Sequence, residues 1–466
     1  MINIQRQRHW FRPHVRPIAF AGAAVILVAG SYLVAALAPR SVPALPVAPQ
    51  DARDLVVPAP APAAGASEQL RSAIDHEIEL WSASLALNEG NFIAAGTLGA
   101  LYLQRARLSG DVADYGRALE AAERSIEADP IYWPGHALRA SVLFATHDFS
   151  GALNEARATY GAAPAQLEAL AVIGDASLEL GDLEVAEAAF LELGDAAPSP
   201  PVWSRLAHLA FIRGDADRAL QLVGQSVAAT DSTTDPAAAA FYWFQLGDLH
   251  RASGNLPAAM APYLDALSAL PGYLPATVGL ARVREAQGRR AEAIALLEEA
   301  AARVPQPELL AALGDLYALD GDASAAERQY ALVERIGDVA AATGSIYDRQ
   351  LVLFAADHDR GLPQAISRAR AELAIRHDVY GHDALAWALF KAGQLDEAAS
   401  EAAIALSLGT PDPRLAYHAG MIAAAQGRTD DARWLLTEAM EGAAYLPPLQ
   451  VPVLEQAIAD LAGGAR

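Results

Sequence analysis

The sequence predicts an all-α fold, a solenoid of about ten stacked helix pairs preceded by one transmembrane helix. Three observations carry the solenoid. The 466 residues are 53% hydrophobic but only 7% aromatic, and rich in Ala, Leu and Glu. Such residues lose little side-chain entropy in a helix. From Ser67 onward, helical segments alternate with Gly, Asp and Pro. In the clearest stretch the turn glycines Gly254, Gly288 and Gly321 recur 34 and then 33 residues apart, a period typical of repeat architectures.

The N-terminus reads differently. Residues 1–17 form a short basic tail with Arg6, Arg8, Arg12 and Arg16. Ile18 to Ala38 is an uncharged apolar run. As a helix it would be roughly 30 Å long, the thickness of a bilayer core. By the positive-inside rule the tail stays cytoplasmic and the rest of the chain lies outside the cytoplasm. The alternative is a cleaved signal peptide, with small residues at Ala36 and Ala38, which would release the chain as a secreted protein. Pro39 would then follow the cut, and the run is longer than a signal core of about 7–15 residues, so the anchor is preferred.

Residues 39–66 carry seven prolines in "PRSVPALPVAPQDARDLVVPAPAPAAGA". Proline density of this kind excludes a helix and favours an extended, semi-rigid spacer.

Residues 67–466 are expected to form the solenoid. In "WFQLGDLHRASGNLPAAMAPYLDALSALP", Trp243, Leu246 and Gly247 sit on one helix and Gly254 marks the turn. Ala259, Tyr263 and Ala266 lie on a second helix that ends at Pro271, which cannot extend it. The next unit repeats this with Leu280, Ala281, Gly288, Ala293, Leu297 and Pro305, and a third with Leu313, Gly314, Tyr317, Gly321 and Tyr330. Elsewhere the same spacing catches Gly174, Gly181, Phe190 and Pro198, then Leu385, Gly393 and Ala398, then Gly420, Gly427 and Leu436. Between Gly99 and Ala118 "RARLSGDVADYG" reads as an expanded turn, and the unit after Ile336 is irregular. An extra helix leads the array, and residues 446–462 read as a capping helix for its open end.

This pattern resembles the tetratricopeptide repeat (TPR) family, and with its apolar run the chain resembles membrane-anchored bacterial members. The resemblance covers about 80% of the chain, most of it in phase. It implies a right-handed superhelix that binds proteins or peptides in a concave groove and performs no catalysis.

Composition narrows the partners. The formal charge is −22, from 56 acids against 34 bases. Single-sign acidity repels phosphate backbones, so no nucleic acid is expected. The absence of cysteine excludes disulfides and thiolate chemistry. No phosphate-cradling, nucleophile-elbow or His-Glu-x-x-His pattern occurs, and no cofactor or metal is expected. Paired acids such as Glu298 and Glu299 read as solvated helix faces.

The stretch "RHDVYGHDALAWALFKAG", Arg376 to Gly393, needs separate treatment. Of the four histidines between His358 and His418, three are each followed by an aspartate: His358, His377 and His382. Read as ligands, they give the alternative function, a metal-binding or enzymatic site in the C-terminal repeats. Adjacent residues on a helix point about 100° apart, so a His-Asp dipeptide is no chelate. Asp378 is instead placed to cap the following helix, and His382 to pack.

In the family this chain resembles, the first helix of each pair lines the groove through its second, fifth, ninth and twelfth repeat positions. Those positions select Tyr380, Asp383, Trp387 and Phe390 in the unit beginning near Val379. The preceding unit contributes Tyr347, Gln350, Phe354 and Asp357. The following one contributes Arg414, Tyr417 and Met421, with His418 beside them. An aromatic groove with polar tips suits an extended peptide or a partner helix. The expected function is therefore a non-catalytic, membrane-anchored scaffold, of which a secretion or polysaccharide-export scaffold is one version.

Overall fold

The computed structural model describes residues 64–109, 111–343 and 348–463. The predicted span 18–38 and the spacer up to residue 63 lie outside them. Among the described residues no helix is long and apolar enough to cross a membrane.

Every regular element among the described residues is helical. A leading helix, Ala64–Leu87, precedes ten helix pairs, from Phe92–Ser109 with Val112–Ala128 to Pro413–Ala425 with Thr429–Glu441. A final helix, Gln450–Gly463, follows. The family resemblance thus extends to the architecture, a stack of two-helix units.

Most units are built by the same local chemistry. The first helix ends at a residue in the left-handed region, as at Gly181 (φ 88°) and Gly214 (φ 86°), where glycine carries no Cβ penalty. The next residue caps the second helix. Asp182, Asp215 and Asn255 accept the backbone N–H of Val185, Arg218 and Ala258, satisfying a donor with no partner inside the helix.

Packing within a unit has its own signature. A Cβ on Gly174 would strike the Phe190 ring, one on Gly314 the Tyr330 ring, and one on Gly420 the Leu436 side chain. Tyr263 fills the space left by two such glycines, Gly247 and Gly279, on adjacent first helices. In Gly174–Phe190, Gly247–Tyr263, Gly314–Tyr330 and Gly420–Leu436 the bulky partner stands 16 residues later. Phe190 and Tyr263 are fully buried. Each such side chain contributes about 1.5–3 kcal/mol by leaving water.

Two details differ from the expectation. The segment read as an expanded turn is helical: Phe92–Ser109 runs for 18 residues, and its neighbour starts at Val112. Arg105 explains the extension, since its guanidinium bonds both Asp75 and Asp114 at 2.7 Å. The irregular unit after Ile336 arises because the helix Ala323–Thr343 runs on for 21 residues and the next, Asp348–Asp357, has only 10.

The stack also meets itself. The His377 N–H donates to the Leu180 carbonyl at 3.1 Å, and Arg376 bonds both the carbonyl and the carboxylate of Glu179. The Thr410 hydroxyl donates to the Ile212 carbonyl, and Arg251 to the Ala444 carbonyl at 3.2 Å. Connections after the eighth, ninth and tenth pairs thereby touch the turns of the third, fourth and fifth.

Candidate functional site

The first helices of the last three pairs, Asp348–Asp357, Val379–Lys391 and Pro413–Ala425, carry the residues expected to line the groove. Asp378 caps the second of them, accepting from the N–H of Tyr380 and Gly381 at 2.9 and 3.1 Å. Tyr347 lies outside the described residues. Gln350 is exposed, whereas Tyr380, Phe390, Arg414, Met421 and Asp357 are partly covered. Phe354, Asp383, Trp387, Tyr417 and His418 are buried; Trp387 is 3% exposed and His418 1%.

The burial is organised around one indole. Trp387 stacks on His418 at 4.1 Å and on Phe390 at 5.0 Å, and its Nε1 donates to Asp357 Oδ1 at 2.7 Å. Burial pushes the Asp357 carboxyl up, against the pull of His418 and the Trp387 bond. His418 Nδ1 lies 2.8 Å from Asp383 Oδ1. Arg414 approaches the second oxygen of Asp383 and that of Asp412 at 3.8 Å each. Burial likewise raises Asp412.

A His–Asp pair is the core of a general base. Here, however, His418 Nε2 is buried and has no hydrogen-bond partner. Among the described residues no hydroxyl bonds it. The arrangement packs the repeats.

The three His-Asp dipeptides do not converge. His358 bonds Asp315 through Nε2 at 2.9 Å and His382 bonds Glu401 at 2.6 Å, while the His377 side chain is exposed. Among the described residues no group of three His, Asp or Glu side chains could hold a metal ion. A cavity of about 260 Å³ lies beside His208, Arg376, His377 and His382. Its arginines are already paired, Arg349 with Glu372 and Asp378 and Arg376 with Glu372.

What covers the groove is the chain's own continuation, Gly442 to Gln450. It makes one 3-10 turn, Ala443–Tyr445, and is extended at Leu446. The Tyr445 hydroxyl donates to Asp248 Oδ2 at 3.3 Å, and the Arg251 guanidinium lies 4.1 Å over its ring. Arg251 and Arg282 donate to the carbonyls of Ala444 and Leu446 at 3.2 and 3.3 Å. Leu446 is buried in the same cluster as Trp387 and Tyr417, and Gln450 donates to Asp357 at 2.7 Å.

Confining the groove to the last three units leaves out Asp248, Arg251 and Arg282. The signal for them is in the register. With Trp243 as the fourth repeat position, the ninth and twelfth are Asp248 and Arg251, and Arg282 is the ninth of the next unit.

Comparison with known proteins agrees with this architecture. Family models described as tetratricopeptide repeat match residues 137–201, 204–273 and 384–445, and a second such model matches 250–316. The chain belongs to the tetratricopeptide repeat family. Among solved structures, the human IFIT1 dimer with PPP-AAAA is similar at TM-score 0.47 and 16% identity, covering 68% of this chain and 73% of that one. A tetratricopeptide repeat protein from Parabacteroides merdae gives 0.38 and 15%, covering 51% and 92%. PilW, a widely conserved type IV pilus biogenesis factor, gives 0.37 and 19%, covering 44% and 93%. No curated protein matches the chain.

Proposed function

We propose that this protein is a membrane-tethered scaffold whose helix-pair stack takes a protein partner as an extended segment in its groove. One observation carries the reading: Arg251 and Arg282, on adjacent first helices, donate to main-chain carbonyls of Ala444 and Leu446. A groove that holds backbone carbonyls with side-chain donors and takes Leu446 into an apolar pocket has the chemistry of peptide recognition. The net charge of −22 supports a protein over a nucleic acid as the partner. The uncharged run Ile18 to Ala38, preceded by four arginines, supports a single-pass anchor with the stack outside the cytoplasm.

A photo-crosslinking residue at Gln350, which is exposed, tests partner binding in cells. The expected result is one discrete protein adduct, absent when the crosslinker sits at the exposed Leu87 of the leading helix. Identical adducts at both positions would sink the reading. Carbonate washing tests the tether: the full chain should stay with membranes and a chain beginning at residue 64 should not. Release of both overturns the anchor.

A further inference from the structure

The groove of this scaffold is occupied, and the way it is occupied points to control of the proposed binding. We infer that Gly442–Gln450 is a built-in occupant that holds the groove shut, and that three interlocked turns lock it there. A partner must displace it and take over its contacts. The inference rests on the groove being the binding surface.

The lock is visible in the turn glycines. A Cβ on Gly181 would meet the His377 carbonyl group, one on Gly214 the Gly409 oxygen at 2.8 Å, and one on Gly254 the Glu441 carbonyl. Those on Gly288, Gly321, Gly393 and Gly427 would meet nothing within 4 Å. All seven have positive φ, so the backbone conformation accounts for glycine at all of them. Close approach of a second piece of chain is peculiar to three. Those three are on consecutive pairs, and they face three consecutive connections. The third connection, at Glu441 and Gly442, is where the occupant begins, so the lock and the occupant are continuous.

The contacts are of a kind that can open. Across the seam they are chiefly hydrogen bonds to carbonyls, with Arg376 on Glu179. Polar contacts exchange with water at little net gain. On either side of the seam, neighbouring helix pairs are held by clusters of their own. Parting the seam leaves each pair intact, as in a local opening of low free energy. The occupant also specifies its replacement. The chemistry is an extended segment with a hydroxyl-bearing ring for Asp248 and Arg251, two exposed carbonyls for Arg251 and Arg282, and an aliphatic side chain for the pocket beside Trp387.

The test uses the full chain and a fluorescent peptide of the sequence GAAYLPPLQ. In the unaltered protein the tethered copy is present at an effective concentration of ~mM, so the free peptide at micromolar concentration should not bind. In Gly214→Ala/Gly254→Ala, hydrogen exchange at Tyr445 and Leu446 should rise at least tenfold and the peptide should bind saturably. The control Gly288→Ala/Gly393→Ala carries the same backbone strain away from the seam and should do neither. A second variant, Tyr445→Ala/Leu446→Ala, alters only the tethered copy and leaves Asp248, Arg251 and Arg282 in place, so it should also admit the peptide while keeping full helicity. If this variant keeps its helicity but neither exchanges faster nor binds peptide, the inference is overturned. The same holds if the control binds as well as the seam variant. Neither result depends on the natural partner, so failure here leaves the scaffold reading standing.

Discussion

Trp387 and Gln450 donate to the same oxygen of Asp357, each at 2.7 Å. The indole comes from the neighbouring repeat and the amide from the last helix, 93 residues along the chain. One carboxylate therefore ties two repeats to the C-terminal segment. Asp357→Ala leaves two covered donors without an acceptor, at a cost of about 2–4 kcal/mol. Asp357→Asn keeps an acceptor oxygen and removes a charge that burial disfavours, so it should cost about 1 kcal/mol or less. Urea unfolding of both variants measures the difference, and equal losses would mean that the shared acceptor matters little.

The repeat register places Trp387 on the groove surface, but it is 3% exposed and stacked on His418. Its truncation should act on stability. Trp387→Ala should cost about 3–5 kcal/mol, as for other buried aromatics, and lower the melting temperature of the whole stack. Gln350→Ala, on an exposed face, should change stability by less than about 0.5 kcal/mol. Melting curves followed by circular dichroism decide the matter. An unchanged Trp387→Ala melt would return this residue to the surface.

The contrast shows which information a repeat sequence carries locally. Turn glycines, capping acids such as Asp182 and Asp378, and the glycine–aromatic pairs are all set within one unit, and they are legible. Closure of the groove is not. Its contacts join residues nearly 200 apart, as with Arg376 and Glu179 or Thr410 and Ile212. Many of them use main-chain carbonyls, at Leu180, Ile212, Ala444 and Leu446, which leave no mark on residue type. Superhelical geometry decides which turns meet, and small per-repeat rotations accumulate to set it. The polar tips Asp248, Arg251 and Arg282 stand in groove positions of the repeat. What they hold is visible only in three dimensions.

His358 supplies a pH-dependent test. Its Nδ1 faces the Phe354 carbonyl at 2.8 Å and its Nε2 faces Asp315 at 2.9 Å, so both nitrogens of the charged ring have acceptors. Burial opposes the charge, but the Asp315 bond and charge, with the Phe354 carbonyl, outweigh it and raise the pKa. A raised histidine stabilises the fold fully below its unfolded value of about 6.5 and loses that effect as pH rises through the folded value. The stability gap between the native protein and His358→Gln should therefore be widest near about pH 6 and narrow toward about pH 9. Urea midpoints at those two pH values check the sign, and a gap that widens with pH contradicts it.

Asp359 occupies the turn position that glycine holds in seven other units, and its φ is 53°. A residue with a Cβ pays about 1–2 kcal/mol in the left-handed region, less for Asp, whose short side chain tolerates it. The Asp359 carboxylate is 63% exposed and meets Lys391 at 3.0 Å, an exposed pair worth little. Asp359→Gly removes the strain and that pair, and it adds freedom to the unfolded chain, which offsets part of the gain. The balance should be a stabilisation of about 0.5 kcal/mol, seen as a small rise in melting temperature. Asp359→Val, which is β-branched and poorly suited to positive φ, should instead destabilise by about 1–2 kcal/mol. If Val is tolerated as well as Gly, the turn does not need the left-handed conformation, and the repeat's glycine period has some other cause.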